Sequence, residues 1–99
     1  MKKVTVRVTN PHGIHCRPSG VIYKAIEHYS GTIILKAKGE EVVLNSLMDI
    51  ISLGIFYNDE VEIEVSGNEE AETCSLLAEL FSKKYDFPKK TSTIQKLSL

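Results

Sequence analysis

Two segments far apart in the chain alternate apolar with polar residues. In residues 4–9 valines occupy every second position, and in residues 60–65 branched aliphatic residues alternate with three glutamates. A period of two places all the apolar side chains of a β-strand on one face of a sheet. Strands of this kind need cover on one side only, so we expect an open sheet with helices against a single face.

The segments between and after these strands supply the other elements. Apolar residues at helical spacing follow Cys16 and end before Gly31, which is a helix stop. A Gly-containing turn then separates two β-rich runs. The predicted bounds are strands 3–9, 32–37, 41–44 and 60–65, a short helix 47–53, and a last amphipathic helix from about 68 to 85 with Lys83 and Lys84 in its final turn.

The predicted order is βαββαβα. This is an α+β open-faced sandwich, in which a four-stranded antiparallel sheet carries three helices on one face. Residues 1–85 are expected to form this domain, because 99 residues leave little room for a second core. Residues 86–99 lack a clear period and contain Pro88, so we expect a loosely ordered tail.

Composition and charge argue against several classes of function. The net charge is −1 and there is no Lys/Arg-rich block, which disfavours a nucleic-acid binder. No run approaches the roughly 18 apolar residues of a membrane span, and the N-terminus lacks the apolar segment of a signal peptide. We therefore expect a cytoplasmic protein without membrane insertion, in which Cys16 and Cys74 are reduced thiols.

The residues best suited to chemistry lie at the start of the first helix. His15 follows Gly13, Arg17 comes two residues later, and Pro18 stands where a helix tolerates a missing amide hydrogen. A neutral imidazole is a competent nucleophile near physiological pH. The backbone amides of the Cys16-Arg17-Pro18 region and the Arg17 guanidinium would bind the oxygens of a phosphoryl group carried on the His15 ring.

Other interpretations of this loop stay open. His15 can be a helix cap or an exposed loop histidine without a chemical role. His12 and His15 can both ligate a metal, but a site needs at least three protein ligands and no third lies near in sequence, so we predict no metal. Cys16 can be a low-pKa thiol, but no resolving cysteine adjoins it, and we interpret it as structural or incidental.

The short helix has more apolar residues than one face can bury. If Leu47 and its neighbours at positions 50 and 53 face the core, Met48 and Ile51 point outward. A small apolar patch of this kind typically marks a docking site, so Leu47, Met48 and Ile51 are docking candidates unless the helix is fully buried. Ser46 is explained as the N-cap, but a phosphate there would also add negative charge beside the patch and weaken docking.

Three motifs together resemble one known family. They are Gly-Ile-His-Cys-Arg-Pro at residues 13–18, Asn-Ser-Leu-Met at residues 45–48 and Ser-Leu-Gly at residues 52–54. With the βαββαβα order they resemble HPr, the histidine-containing phosphocarrier of the phosphoenolpyruvate-dependent sugar phosphotransferase system of bacteria. The resemblance covers about residues 3–85.

The resemblance implies a phosphoryl carrier rather than an independent enzyme. Enzyme I would phosphorylate His15 with help from Arg17, and the group would pass to sugar-specific IIA domains. The start of the first helix and the short second helix would form the docking face of a monomer that needs no cofactor. An HPr kinase/phosphorylase would modify Ser46 for regulation. The alternatives are a regulatory binding module controlled through Ser46 with vestigial phosphoryl carriage, and a small ligand-binding α+β domain.

The chain also departs from the family pattern at five positions. Cys16 and Ser19 stand where the family usually has other small residues, and neither change disturbs the anion-binding loop. Asn45 replaces a frequent lysine, and Glu27 and Asp49 add acids to a face that is commonly basic or neutral. Because like charges across an interface reduce affinity and association rate, these acids are expected to alter the choice of partners.

Overall fold

The computed structural model describes residues 1–85 and has the predicted element order. The four strands form one antiparallel sheet in the order β1-β4-β2-β3. The strands are β1 (Lys2–Arg7), β2 (Thr32–Ala37), β3 (Glu40–Val43) and β4 (Glu60–Ser66), and the helices are α1 (Cys16–Ile26), α2 (Leu47–Ile51) and α3 (Glu70–Ser82). The predicted tail, residues 86–99, lies outside the described residues.

The alternating strands place one apolar face inward, as predicted. Val61, Ile63 and Val65 of β4 are fully buried, whereas the intervening glutamates reach solvent. On the solvent face, Glu62 lies 3.5 Å from the Nζ of Lys36 on the neighbouring strand. The outer face of the sheet therefore carries paired lysine and glutamate side chains, and the core lies on the other side.

All three helices cover that inner face, which confirms the α+β open-faced sandwich. Helix α3 packs against β1 and β4, and α1 contacts both other helices. Ile22 of α1, Ile50 of α2 and Phe81 of α3 are each fully buried. At about 25 cal/mol per Å² of buried apolar surface, side chains of this size each contribute roughly 1.5–3 kcal/mol to the free energy of folding.

The end of α3 differs from the prediction. The helix stops at Ser82, and Lys83 has an extended backbone, so Lys83 and Lys84 lie beyond the helix rather than in its last turn. The physical reason is a tertiary contact. The Tyr85 N–H donates to the side-chain oxygen of Asn10, and the Tyr85 side chain is buried. That contact competes successfully with the last helical turn.

Smaller differences concern local bounds. Not every apolar residue of α1 faces the core, because the Val21 side chain is 39% exposed; the buried face of α1 is Pro18, Ser19, Ile22 and Ile26. The β2–β3 turn has only two residues, Lys38 and Gly39, both with positive φ, which is the type I′ geometry that matches strand twist. Strand β3 consequently begins at residue 40, one position early. Within residues 1–85 no helix is long and apolar enough to cross a membrane.

Candidate functional site

The loop between β1 and α1 is held from inside by one buried side chain. Asn10 is 1% exposed; its Nδ2 donates to the Gly13 carbonyl at 2.7 Å and its Oδ1 accepts the Tyr85 N–H at 2.8 Å. The Gly13 N–H donates to the Asn10 carbonyl at 2.9 Å and closes the turn. A buried amide that is bonded at both ends fixes its surroundings, so this turn holds the following residues in one arrangement.

Gly13 brings the loop against the segment that joins α2 to β4. Its φ is +72°, and a Cβ atom there would lie 2.6 Å from the Ile55 carbonyl oxygen and 2.8 Å from the Phe56 Cα. The next residue, Ile14, is buried and donates its N–H to the Ile55 carbonyl at 3.0 Å. Only glycine permits both the backbone angle and the close approach, which explains this residue in the motif.

His15 is the residue immediately before α1. Its backbone is extended, and its carbonyl accepts the Ser19 N–H at 2.9 Å as the first bond of the helix. The His15 ring makes no capping hydrogen bond, so the interpretation of this side chain as a helix cap is wrong. Pro18 has no N–H, and therefore the amides that the first turn presents toward the loop are those of Cys16 and Arg17.

The side chains around these amides have the exposure that an anion site requires. His15, Cys16 and Arg17 are exposed, whereas Pro18 and the hydroxyl-bearing Ser19 are buried beneath them. Ring, helix start and guanidinium are thus adjacent in the chain and open to solvent. This arrangement can accept a phosphoryl group and bind its oxygens.

A second imidazole lies beside the first. The rings of His12 and His15 are edge to face, with centroids 6.3 Å apart. The sequence predicted this pair only as possible metal ligands. The spacing of His12 and His15 across a turn also indicates that their rings lie close together. Within the described part of the chain, no group of three His, Cys, Asp or Glu side chains is arranged to hold a metal.

The second helix begins with a reciprocal cap. Ser46 is its N-cap residue, as predicted, and the Asp49 carboxylate accepts the N–H groups of Asn45 and Ser46 at 2.8 and 2.9 Å. The acid at position 49 therefore stabilises the start of α2 instead of standing free on the surface. The spacing of Ser46 and Asp49 is a capping signal that the sequence itself contains.

The apolar residues of α2 divide differently from the simplest expectation. Met48 is 61% exposed, Leu47 and Ile51 are half-buried, and Ile50 is fully buried. The Tyr23 hydroxyl of α1 donates to the Asn45 carbonyl at 3.3 Å and ties the two helices together. The exposed edge of α2 is thus fixed relative to the helix that starts at His15.

Two other sequence candidates have plain structural surroundings. Glu27, at the end of α1, lies 3.3 Å from the Nζ of Lys24 and 3.7 Å from the Nε2 of His28, so its charge has local partners. Cys16 is an exposed free thiol, and Cys74 is a buried one whose pKa is raised by burial. These cysteines lie on different helices and neither forms a disulfide.

Comparison with known proteins identifies the family. A family model described as the phosphorylation site of the HPr component of the phosphotransferase system matches residues 2–83. The chain belongs to the HPr family. The phosphocarrier protein HPr of Mycoplasma pneumoniae is 31% identical over 84 residues, which cover 84% of this chain and 96% of that protein. HPr of Chlamydia trachomatis is 35% identical over 75 residues, covering 76% of this chain and 69% of that protein.

Solved HPr structures share the fold. A crystal structure of HPr from Thermoanaerobacter tengcongensis superimposes with a TM-score of 0.75 at 30% identity, covering 82% of this chain and 91% of that one. HPr from Bacillus anthracis gives a TM-score of 0.76 at 23% identity, covering 82% and 96%. The open-faced sandwich is therefore the HPr fold, and the chain is a phosphocarrier of the phosphotransferase type.

Proposed function

We propose that this HPr-family chain accepts a phosphoryl group on His15 from enzyme I and passes it to sugar-specific IIA domains. The observation that carries the proposal is the exposed His15 ring at the start of α1, next to Arg17 and on a loop held by buried contacts. A carrier needs a nucleophile that two proteins can reach in turn. An exposed ring on a fixed loop meets that need, since positioning supplies much of the rate of group transfer.

The proposed transfer of a phosphoryl group to His15 requires no cofactor. A lone pair of the neutral His15 ring attacks phosphorus, the bond between phosphorus and the donor breaks, and the other ring nitrogen keeps its proton. The transferred oxygens then meet the first-turn amides and the Arg17 guanidinium, which stabilise negative charge. Transfer to an acceptor reverses the same steps, so the chain returns unchanged and acts as a carrier.

Radiolabelled phosphoenolpyruvate with enzyme I tests this proposal. We expect one acid-labile phosphate per chain, lost in His15→Ala and retained in His28→Ala, which removes an exposed histidine at the far end of α1. Addition of an unlabelled IIA domain should then remove the radiolabelled phosphate from this chain. Full labelling of His15→Ala would refute the proposal, and ATP-dependent, acid-stable labelling alone would favour a regulatory binding module.

Leu47, Met48 and Ile51 are proposed as docking residues for these partners. The exposed Met48 side chain and the tie from α1 to the start of α2 support this, because they keep an apolar edge beside the phosphorylated helix start. Met48→Ala should raise the KM of enzyme I for this chain while leaving the free energy of unfolding almost unchanged. An unchanged KM would exclude Met48 from the docking face.

Ser46 is proposed as a regulatory phosphorylation site, with a consequence particular to this chain. Asp49 already accepts the Asn45 and Ser46 amides. A phosphate on Ser46 would lie near the Asp49 carboxylate and meet a like charge, which costs about 1 kcal/mol for unit charges 4 Å apart in water. We expect the modification to weaken docking near Met48 and also to destabilise the start of α2.

A pair of variants separates these effects. Ser46→Asp should lower the free energy of unfolding in the wild-type background, and the loss should shrink when Asp49→Asn removes the neighbouring charge. Ser46→Asp should raise the KM of enzyme I for this chain both in the wild type and in Asp49→Asn. Equal destabilisation with and without Asp49→Asn would contradict the proposed charge conflict.

We further propose that residues 1–85 act as one monomeric domain in the cytoplasm. The single core beneath one sheet supports one domain. Solved relatives include an HPr dimer from Thermoanaerobacter tengcongensis and a domain-swapped dimer of Crh from Bacillus subtilis, so the oligomeric state needs its own measurement. Sedimentation equilibrium should give the monomer mass; a dimer mass would refute this part.

A further inference from the structure

Two adjacent aromatic side chains stand out on the loop between α2 and β4. Phe56 is 63% exposed and Tyr57 is 59% exposed, and both lie outside the docking residues proposed above. Single exposed apolar residues are ordinary on protein surfaces. The position and the rigidity of this pair separate it from that ordinary case.

Phe56 lies close to the loop between β1 and α1, which carries His15. A Cβ on Gly13 would be 2.8 Å from the Phe56 Cα, and consecutive Cα atoms are about 3.8 Å apart, so the Cα atoms of His15 and Phe56 lie within about 12 Å. A standard protein interface covers about 800 Å² of each partner, which is a disc of about 16 Å radius. Phe56 therefore lies within the radius that a partner of standard size, centred on His15, would cover.

The loop holds Phe56 in place before any partner binds. The Phe56 N–H donates to the Asp59 carboxylate at 2.8 Å, and the Asp59 N–H donates to the Phe56 carbonyl at 3.1 Å. The Nζ of Lys38 lies 4.2 Å from the centre of the Phe56 ring and donates to the Gly54 carbonyl at 3.0 Å. An aromatic ring that is fixed in advance loses little conformational entropy on binding.

The charge around the ring indicates what kind of surface it meets. Lys38 lies 3.6 Å from the Asp59 carboxylate and also lies over the Phe56 ring, so its cation is already engaged by groups of this chain. The exposed ring is then best matched by an uncharged, apolar recess. Buried aromatic anchors in such recesses contribute much of the binding energy of protein interfaces.

We propose that Phe56, with Tyr57 beside it, anchors the proteins that exchange a phosphoryl group with His15, by filling an apolar recess next to the partner's reactive residue. Donor and acceptor share this anchor because in-line transfer brings each of them to the same ring nitrogen. The inference rests on the proposed function, since it takes the partner to be centred on His15. It adds a contact area on the loop between α2 and β4 to the one proposed at Met48.

Steady-state phosphorylation by enzyme I and phosphoenolpyruvate tests the anchor. Phe56→Ala should raise the KM for this chain about ten-fold with little change in kcat. Tyr57→Ala should give a smaller rise. The matched control is Leu76→Ala, which removes an exposed apolar side chain from α3 and should leave the KM unchanged.

Further measurements keep the outcomes distinct. The hydrolysis rate of the phosphohistidine should be equal in all variants, and urea unfolding identifies any variant that fails to fold; Tyr57→Ala then carries the test. A KM for Phe56→Ala within two-fold of the wild type would overturn the anchor, as would an equal rise in Leu76→Ala. A wild-type dimer that Phe56→Ala dissociates, without a KM effect, would assign the ring to a second copy instead. Absence of any label on the wild type would refute the proposed function itself.

Discussion

Replacing Gly13 by alanine tests whether the loop that carries His15 depends on its close approach to the α2–β4 segment. The new Cβ would lie 2.6 Å from the Ile55 carbonyl oxygen, whereas ordinary van der Waals contact begins at 3.4 Å. The two backbone segments must therefore separate by about 0.8 Å (3.4 − 2.6). Because both sides of the contact are backbone, neither can yield by rotating a side chain.

Three costs add to the effect on stability. A non-glycine residue with positive φ costs about 1–2 kcal/mol. Weakening the bond between the Ile14 N–H and the Ile55 carbonyl costs about 1 kcal/mol, and residual crowding adds a contribution of similar size. We expect Gly13→Ala to lower the free energy of unfolding by about 3–4 kcal/mol.

Gly54 offers a matched control. It also has positive φ, +60°, but a Cβ there would meet nothing within 4 Å. Gly54→Ala should therefore show the backbone cost alone, about 1–2 kcal/mol. Urea unfolding of both variants isolates the effect of the close approach as the difference between them.

The same substitution should affect function. Separation of the segments shifts His15 relative to the proposed docking residues, so the proposed phosphorylation should be slower in Gly13→Ala than in Gly54→Ala when both are measured as folded protein. If Gly13→Ala is no less stable than Gly54→Ala, the close approach does not constrain the loop and the reasoning fails.

Three further outcomes follow from the surroundings of single residues. In the native protein, iodoacetamide should label Cys16 and spare Cys74, because burial removes access to the Cys74 thiol and raises its pKa; equal labelling of both under native conditions would contradict this. The pKa of Glu70 is lowered by hydrogen bonds from the N-terminal amine and the Gly67 N–H, so its stabilising effect is present above the usual value of 4.5 and is lost as pH falls through the lower folded pKa. Glu70→Gln should accordingly lower the urea midpoint at pH 7 and match the wild type at strongly acidic pH; a deficit independent of pH would refute the assignment. Gly20→Ala, in helix α1 with open space around it, should stabilise the fold by about 0.5–1 kcal/mol in urea unfolding, and a loss of stability would show that the site is not open.

The parts of the structure that sequence predicted are those set by local pattern. Alternation gave β4 and its buried face, and the change of period after Gly13 located the start of α1 at Cys16. Candidate site residues clustered for the same reason, since His15 and Arg17 are neighbours in sequence. Local periodicity is physically sufficient here because each element buries one face of its own.

The parts that sequence reasoning missed depend on contacts between distant segments. The bond from Tyr85 to Asn10 ended α3 early, and no local signal near residue 83 announces it. The position of Phe56 near His15 depends on its close approach to Gly13, which is 43 residues away in the sequence. Asp49 is different, because its spacing to Ser46 predicts the capping contact that the structure contains.

The long reach of Asn10 has a consequence for the order of events during synthesis. The side-chain oxygen of Asn10, which helps to hold the loop before His15, accepts the Tyr85 N–H, and the strand before that loop pairs with β4. A ribosome releases the N-terminal residues first, yet these residues lack their partners until nearly the whole described chain has emerged. The loop that carries His15 therefore gains these long-range contacts only after Tyr85 has left the ribosome.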